Sequence, residues 1–442
     1  MWKNIVISVV LLVSLASGAS FGSAATHDHH TPVEFKKPII KTGEKSALQK
    51  LIDATKPGDT LLLEGRVYRG SVSITKPIKI QGVEGTEIHS LSNALTMTDS
   101  ENIILENLVF DVEEIAIVAN NITNLTLNNV QFLNSNAGLL ITDSQQIKLH
   151  NLTIEGQEGH FKTKNHGVAI YNSQNVTATQ STVSNVLDGF YFERVNGIEL
   201  HENTITNSRY ATHFMYSDNM NITDNELTHN MTGFMMMIAK NVMLSDNIIS
   251  KNNTLNSLGV YFYDVENVVF QKNKLSENTI AMDVQNTKKV IARHNEFQTN
   301  GTVLQVKHSP DFAVTDNQFY GNILTVRSDK ERLQLVDNFY DDYSGHDYDG
   351  DGIGDTPYIA TNSFGQWMVK KPVYQYFIES PGVVVLNMMD TEVTGDHQLV
   401  VTDETPHSLK QPYKWKWDID VIQLMMSAIV LAGMLVIRRK LI

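Results

Sequence analysis

Apolar and polar residues alternate along most of this chain in short runs, which Asn and Gly turns separate. Residues 222–228, with the sequence Ile-Thr-Asp-Asn-Glu-Leu-Thr, are typical of these runs. A period of two predicts β-strands, because successive side chains of a strand point to opposite faces. The segments between the runs are too short for helices, so the pattern predicts an all-β chain.

The strand pattern recurs with a period of about 22 residues. One column of equivalent positions contains Gly189, Ala211, Gly233, Gly259 and Ala281, with a four-residue insertion before Gly259. Asn recurs at the same spacing, provided that Ser181 takes one Asn position and residues 156–165 contain an insertion: Asn107, Asn129, Asn151, Asn203, Asn225, Asn247, Asn273, Asn295 and Asn317. A helix-free unit of this length, with three short strands, is one coil of a parallel β-helix.

The repeat also predicts the domain boundaries. We expect about 11 to 12 coils of ~22 residues over residues 61–325. Residues 26–60 would form an N-terminal cap, and residues 326–410 an exit segment that covers the other open end of the stacked strands.

The strand that follows the Gly/Ala column predicts a core face and an outer face. The first and third positions after the column are mostly bulky and apolar, as in Phe190 and Phe192, and should point inward. The second and fourth positions should then point outward. Over four adjacent coils they form what we call the outer ladder: Tyr191, Glu193, His213, Met215, Met235, Met237, Tyr261 and Tyr263.

The outer ladder is the main candidate site. Stacked strands lie about 4.8 Å apart, so His213 should neighbour Met235, and Met215 should neighbour Met237. Imidazole with thioethers and no thiolate suits copper, especially Cu(I), so these four residues are candidate ligands. An exposed apolar patch usually marks a binding site, and the remaining members, Tyr191, Glu193, Tyr261 and Tyr263, are candidate docking residues. The alternative is that a loop or the exit segment packs over this face.

Composition narrows the chemistry further. The 442 residues contain 16 Met and 15 His but no Cys, and the net charge is -14. The absence of Cys excludes disulfides, thiolate metal sites and a Cys nucleophile. The acidic balance argues against a general nucleic-acid binder, which would carry a basic patch.

The two ends of the chain predict export and a membrane anchor. Residues 1–25 have the basic start, apolar run and small residues of a signal peptide. The apolar run Val421 to Ile437 follows Trp415 and Trp417, so residues 419–437 are predicted to span the membrane. The basic residues within 438–442 should remain cytoplasmic. The middle of the chain would then lie at the outer face of the cytoplasmic membrane.

Two further segments carry candidate metal ligands. His27 and His29, close to the predicted new N-terminus, would form a Cu(II) site together with the free amine. Residues 347–355 place four carboxylates at positions typical of a Ca²⁺ loop, although Tyr358 replaces the last Glu of an EF-hand: Asp347, Asp349, Asp351 and Asp355. The alternative for this loop is a Gly/Asp turn that is fixed by side-chain-to-backbone hydrogen bonds.

Three stretches of the chain resemble the NosD family, the extracytoplasmic maturation proteins of nitrous oxide reductase. They are Tyr340 to Tyr358, Ser208 to Ser217, and Ser380-Pro381. The resemblance implies a right-handed parallel β-helix and a non-enzymatic role in assembling the copper–sulfur centre. It also implies as partners an ABC transporter with membrane and ATPase subunits (NosY, NosF), a copper chaperone (NosL) and nitrous oxide reductase (NosZ). The predicted C-terminal anchor departs from the family, many of whose members are soluble.

Two other functions remain open from the sequence. Parallel β-helices also serve as polysaccharide lyases, hydrolases and epimerases, or as membrane-anchored surface adhesins. A hydrolase needs two carboxylates close together. Glu193 and Asp283 are the carboxylates on the outer face, and they should lie four coils, or about 19 Å, apart.

Overall fold

The structure, a computed structural model, describes residues 45–135, 137–157, 159–329, 333–360, 364, 372–377, 380–383, 385 and 401–408. The predicted signal peptide, the predicted membrane span and the predicted Cu(II) ligands His27 and His29 lie outside these residues. Within the described part of the chain, no helix is long and apolar enough to cross a membrane.

Besides helical residues at 364, 381–383 and 385, the described chain contains one α-helix, two 3₁₀ turns and a single large sheet. Helix α1 is Ala47–Ala54, and the 3₁₀ turns are Phe161–Thr163 and Pro372–Phe377. The first strands are β1 Thr60–Leu62, β2 Val67–Arg69, β3 Val72–Ile74, β4 Ile78–Gln81, β5 Glu87–Ser90, β6 Leu95–Val112, β7 Ile115–Leu133, β8 Ala137–Thr142, β9 Gln145–Glu155, β10 Val168–Tyr171 and β11 Gln174–Thr179. The middle strands are β12 Thr182–Ser184, β13 Asp188–Glu193, β14 Asn196–His201, β15 Thr204–Thr206, β16 Tyr210–Met215, β17 Asp218–Thr223, β18 Glu226–Thr228, β19 Thr232–Ser245, β20 Ile248–Ser250, β21 Leu258–Gln271 and β22 Lys274–Ser276. The last strands are β23 Ile280–Gln285, β24 Lys288–Arg293, β25 Glu296–Gln298, β26 Thr302–Lys307, β27 Phe312–Thr315, β28 Gln318–Tyr320, β29 Leu324–Ser328, β30 Gln334–Val336, β31 Phe339–Tyr340, β32 Tyr358–Ile359 and β33 Thr402–Asp403.

Except for β32, which pairs with β33 in the antiparallel direction, these strands stack in parallel as a β-helix of about 13 turns. Each coil presents three faces: β13 pairs with β16 on the first face, β14 with β17 on the second, and β15 with β18 on the third. The prediction of 11 to 12 coils was too low, because parallel pairing begins at β1 and continues past residue 325 to β31. The terminal coils depart from the 22-residue period, and the last Asn step is 21 residues.

The predicted inward positions form the core. Phe190, Phe192 and Phe214 are fully buried, and the rings of Phe192 and Phe214 stack with centroids 5.2 Å apart. Each fully buried side chain of this size stabilises the fold by about 1.5–3 kcal/mol. The predicted strand register is therefore confirmed.

A row of buried Asn side chains, here called the buried amide ladder, joins successive coils. Its members are Asn203, Asn225, Asn247, Asn273, Asn295, Asn317 and Asn338. Each Nδ2 donates to the Oδ1 of the next member, and the same Oδ1 accepts the backbone N–H of the preceding one. Ser181 does take the Asn position, because its backbone N–H donates to Asn203 Oδ1.

Asn107, Asn129 and Asn151 belong to a different row, which corrects the predicted single Asn column. Their amides bond to one another on the exposed surface. Their equivalent in the next coil is Gln180, one residue before Ser181, since β9 and β11 pair His150 with Thr179. Successive side chains of a strand point to opposite faces, so the position of Gln180 faces solvent while the next position, that of Ser181, faces the interior.

Helix α1 covers the N-terminal end of the stack. Ser46 caps the helix by accepting a hydrogen bond from the Gln49 N–H, and Leu48 and Ile52 are buried in the core. The Gln49 side chain also exchanges two hydrogen bonds with the backbone of Ser73 on β3, at 3.1 and 2.7 Å. These bonds satisfy strand groups that would otherwise be exposed at an open edge.

Candidate metal site on the outer ladder

The neighbours predicted within the outer ladder are confirmed by strand pairing. His213 lies between Tyr191 and Met235, and Met215 pairs with Met237. Met235 in turn pairs with Tyr261. The four candidate copper ligands therefore lie on two adjacent strands, β16 and β19.

The outer ladder is not the exposed surface that the sequence predicted. Tyr191, His213 and Met235 are only 1%, 5% and 8% exposed, while Met215, Met237, Glu193, Tyr261 and Tyr263 are half-buried. The reason is packing from the position just before the Gly/Ala column. The rings of His166 and Tyr210 lie against Tyr191 and His213, with centroids 4.6 and 5.1 Å apart.

The far end of the same face is covered by the exit segment, which was the alternative drawn from the sequence. Val326 N–H donates to Ala360 O at 3.1 Å, and the hydroxyls of Thr325 and Tyr358 are 3.1 Å apart. Leu324 packs with side chains of the exit segment, including Phe364 and Val383.

A buried carboxylate, Asp188, organises the site. Arg209 donates to it through Nε at 2.9 Å and Nη2 at 2.8 Å, and His213 donates through Nδ1 at 3.0 Å. His166 Nδ1 lies 3.3 Å from the same carboxylate. Burial alone would raise the pKa of Asp188, but hydrogen bonds from His166, His213 and Arg209 hold the pKa well below its usual range. Asp188 is therefore a fixed anion.

His213 is oriented as a metal-ligating histidine would be. Its Nδ1 is engaged by Asp188, and its Nε2 is buried with no hydrogen-bond partner among the residues that the structure describes. Burial lowers the pKa of His213 against the opposing effect of Asp188, so the ring is neutral. A carboxylate that holds one ring nitrogen fixes the tautomer and directs the other lone pair to a metal.

The predicted docking residues are largely engaged within the protein. The Tyr191 hydroxyl donates to Glu193 at 2.9 Å and lies 3.5 Å from the Met215 sulfur, and Glu193 also pairs with Arg194. Tyr191 is therefore not available as a docking surface. Glu193, Tyr261 and Tyr263 retain partial exposure.

Sequence reasoning missed His166, Asp188 and Arg209. The signal was the position immediately before the Gly/Ala column, where His166 precedes Gly167 and Asp188 precedes Gly189. Comparison of the positions after the column alone does not predict these residues, although the position before it brings a carboxylate and a second imidazole beside His213.

The Asp-rich loop brings together three of its four predicted ligands. One carboxylate oxygen each of Asp347, Asp349 and Asp355 lies within 4.8 Å of the others, whereas Asp351 accepts the N–H of Ile353. Asp347 accepts the N–H groups of Gly350 and Gly352 at 2.6 and 2.9 Å. The turn bonds of the alternative are thus present, and calcium binding stays a prediction.

A protein-family comparison covers the part of the chain that contains the outer ladder. Residues 150–366 match the family model described as NosD, periplasmic copper-binding protein. The resemblance to the NosD family is thereby confirmed over these residues. The NosD region contains the outer ladder, the cluster around Asp188 and the Asp-rich loop. The periplasmic description agrees with the predicted extracytoplasmic location.

A second family model, for a right-handed β-helix region, matches residues 73–219 and confirms the fold and its hand. A solved exopolygalacturonase of Yersinia enterocolitica is similar at 11% identity and TM-score 0.53, over 65% of this chain and 74% of that one. The Streptococcus pneumoniae surface protein and adhesin PfbA is similar at 11% identity and TM-score 0.47, over 65% and 94%. At this identity, the likeness to the exopolygalacturonase establishes the fold alone. Among curated proteins, none matches this sequence significantly.

Proposed function

We propose that this protein is an extracytoplasmic accessory protein that carries copper on its outer ladder during maturation of the copper–sulfur centre of nitrous oxide reductase. It would act with an ABC transporter (NosY, NosF) and receive copper from a chaperone (NosL) before the reductase (NosZ) takes it. The single observation that carries the proposal is the Nε2 of His213 beside Met235, which is buried and has no hydrogen-bond partner in the described part of the chain. The copper-binding description of the family supports it.

The donor set favours Cu(I) as a transient cargo. His213 would supply a neutral nitrogen and Met235 a thioether, with Met215 and Met237 on the adjoining positions. Soft, uncharged donors select Cu(I) over divalent ions. Asp188 would not bind the metal, because Arg209 and His213 already occupy its oxygens. Its role is to hold the His213 ring.

A Cu(I) titration of the full-length protein against a chromophoric competitor, without oxygen, tests the ligand role. Met235→Leu removes the sulfur and conserves volume, so we expect one Cu(I) equivalent to weaken about tenfold or more while the fold is retained. Met243→Leu is the matched control, since Met243 is exposed on another face. Equal Cu(I) affinity in the two variants and the wild type would contradict the proposal.

The maturation role needs a cellular measurement. Nitrous oxide reductase purified from cells that carry His213→Ala together with Met235→Leu should contain less copper than enzyme from cells with the wild-type protein. Cells with Met243→Leu should give normal copper content. Full copper content with the double variant would argue that the outer ladder has no part in maturation.

No specific observation favours a polysaccharide-acting enzyme. Glu193 and Asp283 remain four strands apart in the stacking order, and both are engaged: Glu193 by Tyr191 and Asp283 by Gln285 and Gln305. Burial raises the pKa of Asp283. The likeness to carbohydrate-active enzymes concerns the fold, and folds of this class host unrelated functions. The same argument applies to the adhesin alternative.

A further inference from the structure

A second group of metal-ligand side chains lies on the third face of the first coils, outside the NosD region. The burial of β5 alternates, so that Ile88 points into the core while Glu87 and His89 point outward. Asp111 on β6 pairs directly with His89. All three outward side chains are half-buried, and together we call them the Glu87 cluster.

The distances within the Glu87 cluster fit a single small cation. His89 Nδ1 lies 3.2 Å from Asp111 Oδ2, and one ligand atom of each residue lies within 4.8 Å of the others. Two ligands of a tetrahedral zinc ion, each about 2.1 Å from the metal, are about 3.4 Å apart. The His89–Asp111 separation is therefore close to that expected for two ligands of the same metal.

The surroundings of the cluster leave its carboxylates available. Asn134 Nδ2 donates to Asp111 Oδ1 at 3.3 Å, which orients the carboxylate and leaves Oδ2 toward His89. Among the described residues, the Glu87 carboxylate has neither a hydrogen bond nor an ion pair. Arg69 pairs with His89 on the preceding strand, yet it is exposed and forms no ion pair within the described chain. Within the described chain, His89 is the single ion-pair partner of the two carboxylates and contacts Asp111, so the charge of Glu87 is left without a neutralising partner there.

We propose that Glu87, His89 and Asp111 bind a zinc-class divalent cation that ties two successive coils together. One imidazole and two carboxylates suit Zn²⁺ and similar borderline ions, with water completing the coordination. The cluster contains no thioether, so it is chemically distinct from the outer ladder and has no preference for Cu(I). A ligand that binds only the folded state stabilises it, so zinc should stabilise the N-terminal coils.

Glu87→Gln separates metal binding from structure, because the Glu87 carboxylate makes no hydrogen bond or ion pair to another described residue that the change would remove. In the full-length protein without metal, we expect Glu87→Gln to melt at the wild-type temperature. Addition of ZnCl₂ should raise the melting temperature of the wild type but not that of Glu87→Gln. Equilibrium dialysis with ZnCl₂ should show one zinc equivalent fewer in His89→Ala and binding about tenfold weaker in Glu87→Gln.

His150→Ala is the matched control, since His150 is an exposed histidine whose Nδ1 contacts only the Thr179 hydroxyl among described residues. It should bind as many zinc equivalents as the wild type. Equal zinc stoichiometry in His89→Ala and the wild type, or an equal zinc-induced rise in Glu87→Gln, would overturn the proposal. Neither result would bear on copper binding by the outer ladder.

Discussion

At the scale of single residues, Asp188 holds the site together because three cationic or donor side chains meet on it. Replacing it by Asn removes the charge opposite Arg209 and one of the two acceptor oxygens that Arg209 and His213 share, because the amide NH2 group can only donate. Breaking a buried ion pair from one side costs about 3–5 kcal/mol. We therefore expect Asp188→Asn to unfold at a lower denaturant concentration than the wild type, as measured by circular dichroism. We also expect it to bind Cu(I) about 10–100-fold more weakly.

Asp246→Asn is the control for this change, because Asp246 is an exposed turn residue whose left-handed backbone suits Asn equally well. Its unfolding midpoint and Cu(I) affinity should equal those of the wild type. If Asp188→Asn behaved in the same way, Asp188 would have no organising role.

The residues of the site were only partly predictable. The 22-residue period and the spacing of stacked strands were enough to predict that His213 lies beside Met235, since the backbone pairing alone determines which residues are adjacent. They were not enough to predict burial, because exposure depends on which side chains from adjoining positions fold over a face. Tyr210 and His166 cover the outer ladder, and neither belongs to the positions that define the repeat.

At the scale of the structural element, the buried amide ladder connects coils through polar bonds inside the core. Asn247 is typical: its Oδ1 accepts from Asn225, and its Nδ2 donates to Ile222 O and Asn273 Oδ1. Buried polar groups that lose such partners cost about 1–3 kcal/mol each. The ladder therefore makes each coil dependent on the next.

Asn247→Asp tests this dependence with almost no change of shape. The carboxylate would face two acceptors, Ile222 O and Asn273 Oδ1, so we expect a loss of about 2 kcal/mol or more in unfolding free energy. Asn241→Asp is the matched control, because Asn241 donates to Asn219 in an exposed row and should change stability by less than about 0.5 kcal/mol. Urea unfolding measures the change in unfolding free energy of both variants. Equal losses in the two would mean that burial of the amide ladder contributes nothing to stability.

The sequence predicted the strands better than it predicted the cluster of side chains around Asp188. Alternation predicted the strands, and the Gly/Ala column predicted the inward Phe side chains. The merged Asn column was wrong for Asn107, Asn129 and Asn151. The coils on either side of the insertion are offset by 29 residues, so Ser181, 30 residues after Asn151, belongs to the other row. A count of Asn does not show which face a side chain takes. Contacts between coils, such as Asn203 with Ser181, decide that face.

At the scale of the whole molecule, a solenoid is stabilised by contacts between neighbouring coils, so its two ends are its exposed edges. The ends were also where the sequence was least informative. Apart from the two insertions, the middle coils keep a 22-residue period, whereas the terminal coils are shorter, as in the pairing of Thr60 with Lys79 and the 21-residue step from Asn317 to Asn338. This is why the coil count from the sequence was too low.

Asp403 closes the C-terminal end by taking the place that Asn occupies in the preceding coils. Its Oδ2 accepts from the N–H and Nδ2 of Asn338 and from the Tyr340 hydroxyl, at 3.1, 2.8 and 3.1 Å. Burial and the charge of Asp403 raise the pKa of Tyr340, so that hydroxyl remains a donor across the physiological range. The last coil is thereby left with no unsatisfied donor at this position.

Asp403→Ala should therefore open the end of the stack. Three buried donors would lose their acceptor, and we expect a loss of about 2–4 kcal/mol in unfolding free energy. An unprotected strand edge also invites pairing with another chain, so light scattering after size exclusion should show more dimer as concentration rises. Asp403→Asn retains an acceptor oxygen, and an Asn oxygen is the acceptor throughout the buried amide ladder from Asn203 to Asn338. This variant should therefore remain near the wild type in unfolding free energy and in the amount of dimer. If Asp403→Ala unfolded at the wild-type denaturant concentration, β33 rather than the Asp403 side chain would close the molecule.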